Sequence, residues 1–316
     1  MQGEAAPLDV EVSLVNTNNR ELLRACLASL PEAAGTLTWH ATVVDNASDD
    51  GSPEVVRLEF PWARLIENMH RLGFSANHNQ VIGEVVSHDS ARYVLVLNED
   101  TELQPGALEE LVLFADREDR LGAAGPRLVE KDGQEQTSYF GFPAVLEQFW
   151  STLRPGQPPR RAETTGWLNG SCLLVRTDAL RRVGPLDARF FIFFEDTDLG
   201  LRLHRGGWRS AVCESSTVVH HGHQTVSDSS VGTHMERQML RSRYLYFRKH
   251  HGRQTAGVVV ALVRMALGVR AAKALLTGSI TRDGGERMLA GLLWGLARYD
   301  PVAPLPHESL APGVSS

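Results

Sequence analysis

Residues 92–103 read RYVLVLNEDTEL, an almost wholly apolar run that turns abruptly into Asn98, Glu99 and Asp100. A strand with one wet face would alternate polar and apolar side chains. This one does not, so both of its faces are expected to be covered. Further strand-like runs lie upstream in VEVSLVN (10–16), HATVVDN (40–46) and ARLIEN (63–68), and downstream in LGAAGPRLV (121–129). Between them lie helical stretches. NRELLRACLASL (19–30) repeats Leu22, Leu23, Cys26, Leu27 and Leu30 at helical spacing, SANHNQVIGEVVS (75–87) follows ARLIEN, and PGALEELVLFADRE (105–118) places Pro105 at an expected first turn. Buried strands separated by helices predict an α/β fold, an open and mostly parallel sheet flanked by helices.

In such sheets ligands bind beyond the carboxyl ends of the strands. Three strands end in polar groups there: Asn16, Thr17 and Asn19; Asp45 and Asn46; and Asn98, Glu99 and Asp100. Ordinary polar loops would not explain an acidic run directly after YVLVL. Asp100 is the best candidate to ligate a hard divalent cation, Mg²⁺ or Mn²⁺, with Asn98 assisting and Glu99 turned away. Further on, TVVHHGH (217–223) brings His220, His221 and His223 after a strand, and in an extended chain His220 and His221 face opposite ways.

The bulk numbers narrow the function classes. The chain has 316 residues, 42% hydrophobic and 22% charged, with a net charge of −6 that argues against a nucleic-acid partner. Its three cysteines, Cys26, Cys172 and Cys213, show no paired spacing, which points to a reducing, cytoplasmic setting. There is no glycine-rich phosphate loop, no zinc-protease motif and no serine elbow. The acidic start MQGEAAPLDVEV is not expected to be a signal peptide. Residues 141–161 have no clean period and read as a long loop, and 303–316 as a disordered tail. The stretch 255–276 is apolar but interrupted by Arg264, Arg270 and Lys273, and follows the basic run 237–253. It reads either as a packed helix or as one that contacts an anionic membrane peripherally.

Seven segments now stand in order: TNNRELLRACLASL (17–30), VVDNASDDGS (43–52), ENMHRLGFSANHNQVI (67–82), YVLVLNEDTELQPGALEELV (93–112), AAGPRL (123–128), the long stretch WLNGSC…GGWR (167–209) and TVVHHGH (217–223). Together they resemble the family-two inverting glycosyltransferases with a GT-A fold, especially the rhamnosyltransferase-like branch. The resemblance spans roughly residues 9–225. It implies a Rossmann-like GT-A domain over 1–230, with a nucleotide-binding half at about 9–130 and an acceptor half at about 131–230. A C-terminal helical region would follow over 231–302.

The resemblance also implies roles. Thr17, Asn19, Arg20, Asp45, Asn46, Arg71, Gly73, Phe74 and Asn77 match segments along the nucleotide and diphosphate, as do Asn98 and Glu99. LNED matches a variant of the metal-binding D-x-D motif, with Glu99 where proline is common and Asn98 where aspartate is general. Asp100, assisted by His220, would hold the metal. Trp167, Asn169 and Gly170 match the segment facing the sugars. FFED (193–196) matches the motif whose aspartate deprotonates the acceptor, making Asp196 the general base and Glu195 its nearest rival. The aromatic run RFFIFF (189–194) would desolvate that carboxylate and raise its basicity. Asp198 and Arg202, four apart, are expected to pair along the surface of the next helix.

The implied partners are a nucleotide-sugar donor, with dTDP-rhamnose first and UDP-sugars next, and a glycan or lipid-linked acceptor at the inner face of the membrane. A nucleotidyltransferase, a non-catalytic sugar-nucleotide binder and a metal-assisted hydrolase are the alternatives. The first would release pyrophosphate, the second would bind without turnover, and the third would need no acceptor.

Overall fold

The computed structural model describes residues 7–154, 160–162, 165–222 and 229–276. In chain order the elements are β1 (Leu8–Asn16), α1 (Arg20–Ala34), β2 (Trp39–Asp45), α2 (Ser52–Glu59), β3 (Arg64–Glu67), α3 (Phe74–His88), β4 (Ala91–Asn98), β5 (Thr101–Leu103) and α4 (Ala107–Asp116). Then come β6 (Leu121–Val129), β7 (Glu135–Gln136), β8 (Tyr139–Phe140), α5 (Glu147–Leu153), β9 (Trp167–Leu168), β10 (Cys172–Arg176), α6 (Thr177–Val183), α7 (Glu195–Arg205), β11 (Arg209–His220) and α8 (Ser229–Leu276).

The main sheet runs β3-β2-β1-β4-β10-β6-β11-β5, with β7 on β6, while β8 and β9 form a separate pair. From β3 to β4 all neighbours are parallel, as the sequence predicts. Beyond β4 the sheet is mixed: β10 runs antiparallel to both β4 and β6, and β5 runs antiparallel to β11. An antiparallel strand needs no crossover helix, and nothing in a short apolar run marks its direction.

Strand β4 shows why its sequence is uniformly apolar. Tyr93, Leu95 and Leu97 enter the core under α1 and α4, whereas Val94 and Val96 enter a second core under α3 and α6. A third cluster joins Phe190, Tyr246, Phe247, Val259 and Val263, and it seats α8 on the sheet domain.

Two expectations change. Residues 141–161 contain helix α5, seven residues long and too short to display a period; it packs against α8, and buried Arg243 donates to Thr152 Oγ1. Pro105 lies just outside α4, which begins after Gly106 in the left-handed conformation. Helix α8 turns at Gly252, where φ is 86°. The expected tail at 303–316, the helical stretch beyond 276 and His223 lie outside the described residues.

Candidate active site

The ends of β1, β2 and β4 converge on one edge because β1 pairs in register with both neighbours. At this edge Asn16, fully buried, donates from Nδ2 to Asp45 Oδ1 at 3.1 Å and to Ser48 Oγ at 3.2 Å. Ser48 N–H donates in turn to Asp45 Oδ2 at 2.9 Å. Asp45 is therefore a fixed acceptor at the strand end rather than a mobile loop acid. Ser48 also receives Asn18 N–H, and Arg20, at the exposed start of α1, donates to the Asp50 carbonyl.

Asn46 bridges two loops. It donates to Thr17 Oγ1 and to the Leu72 carbonyl, and its Oδ1 accepts Leu72 N–H at 2.7 Å. Asn77, fully buried, also donates to that carbonyl and accepts from Asn68 Nδ2. Both amides are committed to shaping the loop that carries half-buried Arg71. Gly73 brings this loop against the 190s: Phe74 N–H donates to the Phe191 carbonyl, and a Cβ on Gly73 would lie 2.7 Å from that oxygen. Backbone cannot yield as a side-chain tip does. Gly73→Ala is expected to cost on the order of 1–3 kcal/mol in a denaturant titration.

The acidic turn after β4 sorts its side chains clearly. Asn98 is held through its backbone, donating to the Ser171 carbonyl and accepting Thr101 Oγ1. Glu99 reaches back to β1, where Asn19 Nδ2 donates to Oε1 at 2.7 Å. Burial pushes its carboxyl up to about 7, opposed by the Asn19 bond and reinforced by the charge of Asp100.

Asp100 Oδ1 is buried without a hydrogen-bond partner and lies 3.5 Å from His220 Nε2. Gln136 orients that imidazole: its Nε2 donates to the His220 carbonyl, so its Oε1, 2.8 Å from Nδ1, accepts Nδ1–H. Nε2 then faces Asp100. His221 points the other way, onto Glu102 at 2.6 Å, as the alternation of an extended chain predicts. Among the described residues no cluster of three His, Cys, Asp or Glu side chains is gathered for a metal. The Asp100–His220 pair nonetheless fits a Mg²⁺ or Mn²⁺ ion that takes its remaining ligands from substrate phosphate and water.

Across the sheet, the 166–171 segment backs α7. Trp167 stacks near Phe140, with centroids 4.7 Å apart, and donates to the Gly141 carbonyl. Asn169 Oδ1 accepts Ser171 N–H, and Gly170 N–H donates to Asp196 Oδ2 at 3.2 Å. Asp196 Oδ1 also accepts Thr197 N–H and Oγ1. Its position in the first turn of α7 favours negative charge. Burial nevertheless raises its pKa above the ordinary aspartate range, against those hydrogen bonds.

Glu195 is raised well above its usual range, by burial first and then by the Asp196 charge, and its Oε2 has no hydrogen-bond partner. Glu195 is buried and Asp196 half-buried, and two such adjacent carboxyls cannot both ionise cheaply. The hydrogen bonds place the charge on Asp196.

The loop before α7 is strained. Phe193 and Phe194 hold φ of 68° and 67°, a conformation that costs bulky residues roughly 1–3 kcal/mol each. Helix α8 holds it there. Ser242 Oγ donates to the Ile192 carbonyl, and Tyr246 packs on Phe194.

Asp198 overturns the surface reading of its sequence: it is fully buried and receives Arg202, Lys249 and His250 at 2.8, 2.6 and 2.7 Å. Lys249 spans on to Asp187. Sequence spacing shows only the local Arg202 partner; the other two come from α8, about fifty residues away. Ser48 and Gln136 also went unseen, because a short polar residue in a turn and a glutamine in an unpatterned stretch carry no periodic signal.

The model of the glycosyl transferase family 2 matches residues 12–184, more than half of the chain. The chain belongs to that family. As a family 2 glycosyltransferase it is 33% identical over 238 residues to the N-acetylglucosaminyl-diphospho-decaprenol L-rhamnosyltransferase of Mycobacterium tuberculosis (strain ATCC 25618 / H37Rv), covering 66% of this chain and 74% of that one. It is 29% identical over 219 residues to the O-antigen biosynthesis protein RfbC of Myxococcus xanthus, covering 64% of this chain and 16% of the relative. Among solved structures, the mannosyltransferase PcManGT from Pyrobaculum calidifontis, in complex with GDP-Man and Mn²⁺, superposes with a TM-score of 0.54 at 17% identity. That match covers 92% of this chain and 86% of the other. This glycosyltransferase thus has the α/β GT-A fold expected from its sequence.

Proposed function

We propose that this glycosyltransferase moves a sugar, with inversion, from a nucleotide-sugar donor to a hydroxyl of a lipid-linked or glycan acceptor. The observation that carries the reading is Asp196, a desolvated carboxylate fixed by Gly170 and Thr197 at the start of α7. Its environment suits a base that takes the acceptor proton as the new bond forms. The acceptor oxygen attacks the anomeric carbon, the bond to the diphosphate breaks on the opposite face, and nucleoside diphosphate leaves. The proton passes to Asp196.

Asp45, Thr17, Asn19, Arg20 and Arg71 take the nucleotide at the strand edge. Asp100 and His220 would hold Mg²⁺ or Mn²⁺, which when bound neutralises charge on the departing diphosphate. Trp167, Asn169 and Gly170 shape the sugar side. Residues 9–130 form the donor half and 131–230 the acceptor half, and the protein works at the cytoplasmic face of the membrane. The likeness to a decaprenol-linked rhamnosyltransferase supports dTDP-rhamnose as the first donor to try and a lipid-linked acceptor.

The test is product analysis of dTDP-rhamnose and UDP-sugar reactions with and without a polyprenyl-diphosphate-sugar acceptor. The expected result is acceptor-dependent release of nucleoside diphosphate and a glycoside of inverted anomeric configuration. Retained configuration, or pyrophosphate release, would reject the reading. Asp100→Ala is expected to weaken Mn²⁺-dependent donor binding at least about tenfold by calorimetry, while metal-free nucleotide binding changes little. Unchanged Mn²⁺-dependent affinity would remove Asp100 from the metal.

A further inference from the structure

The distal limb of α8, after the turn at Gly252, has two apolar faces. One carries Ala256, Val259, Val263 and Leu267, buried against the protein. On the opposite face Val258, Met265, Val269 and Leu276 recur at helical spacing and are exposed by 52%, 53%, 46% and 88%. A packed helix of a globular protein has one apolar stripe and a polar outer face. This limb has an outer stripe as well, flanked by exposed Arg253 and Arg264 on one side and exposed Lys273 on the other.

Charge selects the occupant. Residues 237–276 contain nine lysines and arginines and no aspartate or glutamate, in a chain whose net charge is −6. Arg243 and Lys249 turn inward, to Thr152 and to Asp187 with Asp198, while Arg253, Arg264 and Lys273 are exposed. Helix α5, packed on α8, adds Trp150, 54% exposed, with the Arg154 guanidinium 5.6 Å from its ring, and Leu146 just before the helix is 71% exposed. Exposed aliphatic side chains bordered by cations, with an amphipathic tryptophan nearby, suit the boundary between anionic headgroups and acyl chains.

By length and mean hydropathy a segment of this helix could cross a bilayer. Its inner face, however, is committed to protein, and Arg270 donates to the Thr152 carbonyl of α5. A helix committed in this way has only its outer face left to meet a lipid surface.

We propose that the outer face of the distal limb of α8 docks the protein onto an anionic lipid surface, with α5 as an accessory contact. The inference extends the lipid-linked acceptor reading, placing the enzyme where such an acceptor resides. Its consequence for the site is direct: the proximal limb of the same helix holds both the loop that leads into α7 and Asp198 of α7, two residues from Asp196.

The test is co-sedimentation of the full chain with acceptor-free vesicles of phosphatidylcholine alone or mixed with phosphatidylglycerol. The expected result is binding to the mixed vesicles, relieved by salt. Met265→Asp combined with Val269→Asp should lower the bound fraction at least about fivefold, with the thermal midpoint unchanged. If that pair impairs folding, Val258→Asp serves in its place. Wild type left in the supernatant with both vesicle types would overturn the proposal, as would equal binding of wild type and variant. So would a variant that merely converts a dimer to a monomer, which would make the stripe a protein interface. Because no acceptor is present, none of these outcomes depends on whether the chain transfers a sugar.

Discussion

Asp196→Asn is expected to lower the turnover of transfer by about 10²–10⁴-fold, the range a positioned general base contributes. Donor affinity should stay within a few fold. The substitution keeps the side chain's shape and an Oδ1 that can still accept Thr197 N–H, and gives up only the longer bond from Gly170 N–H, which would meet the amide nitrogen. It also removes a charge beside buried Glu195, whose own pKa that charge raises. The thermal midpoint of the variant should therefore hold or rise, which separates a chemical defect from a folding defect.

The pH profile gives a second readout. A base works deprotonated, and burial raises Asp196, so wild-type kcat/KM should climb with pH through a range above the usual aspartate value of about 3.9. That limb should vanish from the residual rate of the variant. Near-normal turnover in Asp196→Asn would end the assignment.

Asp198→Ala should have the larger effect on stability. Its carboxylate is fully buried among Arg202, Lys249 and His250, and removing it leaves the Arg202 and Lys249 charges and the His250 imidazole without their shared acceptor. Breaking a buried ion cluster from one side costs about 3–5 kcal/mol, measurable by urea titration. Activity should fall further than the folded fraction does, because α8 would release the strained Phe193–Phe194 turn that sets the start of α7.

The pH dependence has a definite sign. The pKa of Asp198 is lowered in the folded protein: burial works against this, and is outweighed by the His250, Arg202 and Lys249 contacts. Its contribution is therefore present above the unfolded value of about 3.9 and lost as pH falls through the lower folded value. The deficit of Asp198→Ala should accordingly narrow in acid below about pH 4. A stability loss under about 1 kcal/mol with full activity would show that α8 does not hold the loop.

Much of this was legible in the residues. YVLVLN is apolar on both faces because helices cover both sides of the sheet, whereas VEVSLVN and HATVVDN each carry polar residues on one face, where Thr42 donates to buried Glu11. The acidic ending of β4 marked the site edge, since a carboxylate directly after a buried strand emerges where the parallel strands open. Alternation along β11 separated His220 from His221 in principle; only pairing with β5 decided which one meets Asp100.

What stayed hidden shares one physical cause. The reversed direction of β10, the Gln136 amide that fixes the His220 tautomer, the packing of α5 and the burial of Asp198 all depend on partners far away in the chain. Sequence by itself determined the family, the α/β class and the carboxylates to watch, because local periodicity and ordered motifs are written in neighbouring residues. Tertiary structure alone decided which carboxylate is charged, which is a structural hub and which loop is held under strain. Those properties come from desolvation and from contacts between α7 and α8, and no spacing along the chain encodes them.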